Sequence, residues 1–140
     1  MGFMYPSAEW MKELKRICNE DGEFKNSVGK FKGSFVFQVL PEPGKLEKPA
    51  FLKFAIADGS ATDAGAAETL DELGDVDYVL EGNYTIWKEV ISGKREPLRS
   101  IMTRKLKVTK GKQLTLLKNT KMAMRMISNS VKVSSVFADE

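Results

Sequence analysis

The spacing of apolar and polar residues changes period several times along the chain, and each change marks an element. Trp10, Leu14 and Ile17 recur at helical spacing with Met11 and Cys18 beside them, which predicts an amphipathic helix. Ser7 suits its N-cap, and Glu9 suits the positive end of its dipole. The stretch NEDGE breaks this helix near Asp21, and Phe24, Val28 and Phe31, at i, i+4 and i+7, predict a second short one. Beyond Gly33 the period becomes two. In SFVFQVL, Phe35, Phe37 and Val39 alternate with Ser34, Val36 and Gln38, the pattern of a half-buried strand. In FLKFAIADG, Leu52, Phe54 and Ile56 share a face, and Asp58-Gly59 signals a hairpin. The partner across that hairpin would be SATDAGAA, whose strand propensity is poor.

Alternation returns in VDYVLEG, with Val76, Tyr78 and Leu80 on one side, and Gly82 is expected to end the strand. Asn83 can cap a helix in which Ile86, Trp87, Val90 and Ile91 form an apolar stripe. Gly93 fits its end. Pro97 opens another short helix with Leu98, Ile101 and Met102 inward. RKLKVTKG reads as an exposed or edge strand with Leu106 and Val108 on one face. A last helix is expected from about Lys112 to Ile127. On its wheel Leu116, Leu117, Thr120, Ala123, Met124 and Ile127 share one side, and Met122 and Met126 fall on a neighbouring side. The order of elements argues α+β: one mixed, mainly antiparallel sheet of about five strands with helices packed on one face. The chain reads as a single domain over 1–140, with a core of about 7–128 and a loose tail over 129–140.

Composition narrows the chemistry. The 140 residues are 42% apolar, enough to bury a core. Cys18 is the only cysteine and histidine is absent. Ser-His-Asp and Cys-His mechanisms are thereby excluded, and a transition-metal site has poor ligands to draw on. The apolar runs are too short to cross a bilayer, and no signal-peptide pattern opens the chain. A cytoplasmic location is the expectation. The net charge of +3 hides a strong asymmetry. Between Lys53 and Lys88 there is no basic residue, and Asp58, Asp63, Glu68, Asp71, Glu72, Asp75, Asp77 and Glu81 lie there. From Lys88 to Lys132 thirteen Lys or Arg face only Glu89 and Glu96. Two solvated surfaces of opposite sign explain this; so does a basic face turned to phosphate groups. Nucleic acid is not the expected partner, because no aromatic residue is interleaved with the basic stretch.

No glycine-rich phosphate loop is present: GKREP and KGKQLT lack its spacing. The carboxylate pairs Asp75/Asp77 and Asp71/Glu72 sit in a solvated stretch with nothing to split their acidities, so no catalytic residue is assigned. Trp87 fits a core position, and equally the wall of a cavity. Met102, Met122, Met124 and Met126 carry the same two readings, since the thioether chain fills gaps and also lines adaptable apolar surfaces.

Three segments, taken in order, resemble the sterol carrier protein 2 (sterol-transfer) domain family in its stand-alone microbial form. They are SFVFQVLPEPGKLEKPAFLKFAIADG, DYVLEGNYTIWKEVISGKREPL and MTRKLKVTKGKQLTLLKN, and the likeness extends from about Trp10 to about Ile127. Gly82, Trp87, Gly93, Pro97, Leu106, Val108 and Gly111 match the family's order and spacing. Arg104 stands where the family often has glycine. The resemblance implies a five-stranded sheet with helices over one face and an apolar tunnel between them for sterols, fatty acids, acyl-CoA or other lipids, with no cofactor and no metal.

Combined with strand alternation and helix stripes, this makes Phe35, Phe37, Leu52, Phe54, Tyr78, Leu80, Ile86, Trp87, Val90, Ile101, Met102, Leu106, Leu117 and Met124 the candidates for lining the slot. Arg104, Lys105, Lys107 and Lys110 are the candidates for an anionic head group. The expected activity is binding, transfer or storage of a lipid such as a fatty acid or acyl-CoA, with transient contact to an anionic membrane surface. The alternative is an interaction module of the same fold, in which the slot is filled by side chains and the Met122/Met126 surface buries against a second copy or another protein.

Overall fold

The computed structural model describes residues 2–140. Its centre is a five-stranded sheet of β2 (Gly33–Leu40), β3 (Ala50–Ala57), β4 (Ser60–Ala67), β5 (Tyr78–Asn83) and β6 (Lys107–Lys110), in the spatial order β4-β3-β2-β5-β6. Only β2 and β5 run parallel; the other neighbours are antiparallel. The expected mixed, mainly antiparallel sheet is thus present, and SATDAGAA does form its third strand. A separate parallel pair joins β1 (Phe3–Tyr5) to β7 (Ser135–Phe137).

Side-chain alternation decides what each face meets. Leu52, Phe37 and Leu80 stand in register across β3, β2 and β5, and Phe54, Phe35 and Tyr78 form the next row. These rows point toward α1 (Ala8–Asn19), α2 (Gly22–Val28), α3 (Tyr84–Ile91), α4 (Pro97–Met102), α5 (Gln113–Lys118) and α6 (Thr120–Lys132). The opposite face is also partly covered: Val36 and Val79 are buried with Val76, and Phe51, Leu70 and Leu73 pack around them.

The weak strand β4 is explained by its neighbour. Its buried residues opposite Ile56 and Phe54 are Ala61 and Ala64, small enough to let α1 lie close. Asn19 at the end of α1 then grips the strand, donating to the Ala61 carbonyl at 2.9 Å and accepting from the Ala61 N–H at 2.8 Å. Both bonds go to an exposed strand's backbone, so they offset low propensity with specific pairing.

Three expectations fail for reasons of packing. The last helix does not run unbroken from Lys112 to Ile127. It breaks at Asn119, whose ψ of 47° ends α5 before α6 begins, and the break resets the phase of everything after it. Gly82 does not end β5, which continues to Asn83. It is needed for close approach: a Cβ there would lie 2.5 Å from Leu106 Cδ2 and 3.3 Å from Trp87 Nε1. The tail is not loose either. α6 runs on to Lys132, β7 pairs with β1, and Asp139 accepts from Tyr84 Oη at 2.8 Å and from Lys88 Nζ at 2.9 Å.

Candidate functional site: an apolar cavity between sheet and helices

The row Leu52–Phe37–Leu80, with Phe35 beside it, floors an apolar cavity of about 100 Å³. Trp87, Val90 and Ile91 of α3 wall one side, Leu98 and Ile101 of α4 another, and Leu106 closes the end toward β6. The remaining wall comes from Trp10, Met11 and Leu14 of α1 and from Leu116, Met122, Ala123, Met126 and Ile127 of α5 and α6. Almost every lining atom is carbon. Two polar residues of the wall are bonded to the backbone: Ser130 donates its hydroxyl to the Ile91 and Ile127 carbonyls, and Asn119 donates to the Thr115 carbonyl.

Trp87 is held rather than merely buried. Asn83 caps its helix by accepting from the Ile86 N–H at 2.9 Å. The indole ring meets Phe37 edge-on at 5.3 Å between centroids, and its Nε1 donates to the Gln38 carbonyl at 3.0 Å. With its one polar atom bonded to the sheet, the rest of the ring presents an apolar surface to the cavity.

Of the candidate lining residues, Phe35, Phe37, Leu52, Leu80, Trp87, Val90, Ile101 and Leu106 come together around the cavity. Six do not. Phe54 is fully buried one register step away, against the α1 side. Tyr78 stacks on Phe31 and Phe35 at the start of β5. Ile86 and Leu117 pack on the periphery of the core. Met102 is 68% exposed, because α4 ends there, and Met124 is 43% exposed, because the break at Asn119 turns it outward. The same rotation buries Met122 and brings Met126 to the cavity. The wide methionine surface expected for a protein partner therefore does not exist as such.

Sequence reasoning did not assign Tyr5, Trp10, Met11, Leu14, Leu116, Met122 or Met126 to the site. The signal for the α1 residues was its strong apolar stripe; β1 is too short to show any period. Arg104, Lys105, Lys107 and Lys110 are exposed, and none lines the cavity.

One charged cluster supports the site from behind. Asp21 caps α2 and receives Arg125 Nε at 2.6 Å, Arg125 Nη2 at 2.8 Å and Asn129 Nδ2 at 3.0 Å. Arg125, with help from Asn129 and the Glu23 N–H, holds the Asp21 carboxyl well below the usual carboxylate range. Beside it, burial pushes the Cys18 thiol up to about 11, which makes it unreactive. Among the described residues no three or more His, Cys, Asp or Glu side chains gather as a metal site would require.

A helix-covered mixed sheet with an apolar cavity against its inner face defines the class. Residues 13–126 match the SCP-2 sterol transfer family, and the chain belongs to that family. Its activity class is therefore the binding or transfer of sterols or other lipids. The chain is similar to a crystal structure of sterol carrier protein 2, with 25% identity, a TM-score of 0.81, and 91% of this chain and 97% of that one covered. It is also similar to a conserved hypothetical protein, possibly a sterol carrier protein, from Thermus thermophilus, with 23% identity, a TM-score of 0.85, and 100% and 97% covered. The fold recurs in a palmitated protein from Aedes aegypti, with 12% identity, a TM-score of 0.56, and 86% and 94% covered. No curated protein matches the chain in sequence. No helix among the described residues is long and apolar enough to cross a membrane.

Proposed function

We propose that the protein binds the hydrocarbon part of a lipid, such as a fatty acyl chain, in the cavity between sheet and helices, and that it catalyses nothing. The observation that carries this reading is a carbon-lined cavity in a chain of this family, with Ser130 and Asn119 of its wall already hydrogen-bonded to the backbone. Such a cavity loses dispersion contacts along its lining, and an apolar occupant restores them. Each methylene it buries contributes roughly 0.8 kcal/mol.

Size qualifies the reading. A cavity of about 100 Å³ is smaller than an engineered one of about 150 Å³ that accepts benzene. It holds a few carbons as it stands. A longer chain must repack the wall or extend beyond it. Met11, Met122 and Met126 lie in that wall, and unbranched thioether chains are the side chains that repack most readily. Selectivity for chain chemistry would accordingly be loose.

The test is to purify the protein from its own cells, extract it gently with organic solvent, and compare native mass spectra before and after. A released lipid is expected. Protein that carries none, and whose tryptophan fluorescence ignores added long-chain lipid, defeats the reading.

A further inference from the structure

A second hollow adjoins the first. Where the N-terminal end of α1 passes the far end of β4, a solvent-open cleft of about 770 Å³ is bounded by Pro6, Ser7, Lys48, Ala66, Glu68 and Glu72. Leu52 lines both this cleft and the inner cavity. At the partition the chain itself is shared: Tyr5 faces the cavity, and Pro6 and Ser7 face the cleft. Opposite Leu52 in the sheet register stands Ala66, and this small side chain is exposed. Beside the Tyr5–Ser7 chain, Leu52 therefore stands between the apolar interior and the cleft, with Phe37 as its neighbour on the β2 side and only the small Ala66 on the β4 side. At the opposite sheet edge Leu106 closes the cavity and is itself buried.

Building on the lipid reading above, we propose that the cleft is the entrance to the cavity and the seat of the ligand's polar end, with Leu52 as the side chain that moves. The ligand is a single-chain amphiphile whose tail passes Leu52 and whose head stays in the cleft. The small inner volume favours this, since whatever part of a long chain the wall does not repack to admit must lie outside it. A leucine rotamer change is a fast and local event, so entry needs no unfolding. The head chemistry follows from the charges around the cleft. Glu68 and Glu72 outnumber Lys48 there, and the segment from Phe54 to Trp87 carries no cation. An uncharged head such as a glycerol ester is favoured over a free carboxylate.

The proposal is tested with two probes of equal chain length, a monoacylglycerol and a free fatty acid, each brominated at the chain end. Trp10 and Trp87 line the inner cavity, so bromine quenching of tryptophan fluorescence reports arrival of the tail. Wild-type protein is expected to bind the ester roughly threefold more tightly than the acid, the size of an exposed charge effect. The double variant Glu68→Gln, Glu72→Gln is expected to bind both alike.

Entry is tested with Ala66→Cys, labelled after folding with a bulky maleimide. Cys18 is 1% exposed and stays unlabelled. The label is expected to slow association of the ester about tenfold or more, whereas the same label on Lys107→Cys at the β6 edge changes it less than about twofold. An unchanged unfolding midpoint shows that the labelled proteins remain folded. Quenching in wild type with an unaltered rate in labelled Ala66→Cys overturns the entrance while leaving the lipid reading intact. So does slowing at Lys107→Cys instead. Equal or tighter binding of the acid overturns the head-group assignment. Absence of quenching in wild type by either probe overturns the lipid reading, and the entrance with it.

Discussion

The Trp87 indole donates to the Gln38 carbonyl at 3.0 Å, tying the helix after β5 to the strand beside it. That bond decides which way the ring faces, and so fixes one wall of the cavity. Trp87→Phe keeps much of the apolar area but leaves the carbonyl without this donor. A loss of about 1 kcal/mol in denaturant-derived stability is expected from the missing bond, with a further contribution from the lost ring volume. An unchanged midpoint would show that the bond contributes nothing to holding the wall.

Ala123 faces the cavity from α6. Replacing it with leucine puts carbon where carbon is missing. The expected result is stabilisation by about 1 kcal/mol, as for other cavity-filling changes, together with weaker binding of any acyl probe. Stability and affinity should thus move in opposite directions, and a variant that gains both would contradict the cavity as the binding place.

Arg104 has φ of 62°, in the left-handed region that favours glycine. A side chain there carries a backbone cost of roughly 1 kcal/mol that glycine avoids. Arg104→Gly is expected to raise the thermal midpoint. A fall would mean that the arginine side chain contributes more than its backbone conformation costs.

The Asp21 carboxylate, depressed chiefly by Arg125, ties stability to pH on the acid side. A carboxyl with a folded pKa below its unfolded value contributes fully above that unfolded value, about 3.9. The contribution is lost as pH falls below it toward the lower folded value. Asp21→Asn keeps a good N-cap but removes the ion pair with Arg125, so it should lower stability at neutral pH by up to about 1 kcal/mol and flatten the acid limb of the stability curve. Denaturation midpoints between about pH 2 and pH 7 check both effects.

Cys18 acts on the alkaline side. Its thiol pKa is raised to about 11 by burial, so the folded chain holds the proton that the unfolded chain releases near about 8.5. The contribution is whole below that unfolded value and drains away as pH climbs toward about 11. Cys18→Ala should remove this part of the alkaline decline. At neutral pH a thiol reagent should label wild-type Cys18 only as fast as the chain opens, which stopped-flow labelling against denaturant will reveal.

Periodicity along the chain determines much of the architecture by itself. Alternation in β2, β3 and β5 and the apolar stripes of α1 and α3 are local properties, written into residues two to four positions apart. Eight of the fourteen candidate lining residues line the cavity for that reason. Phe37, Leu80, Trp87 and Val90 lie on faces that period alone defines. What period could not convey was anything set by a distant partner. β4 exists because alanines admit α1 and Asn19 binds its backbone. The outward turn of Met124 and the inward turn of Met122 follow from one break at Asn119. β7 is held by β1 from the other end of the chain. The position of Leu52 between two hollows was equally invisible in sequence. A strand pattern states which way a side chain points; only the packing of separate elements decides what space lies beyond it.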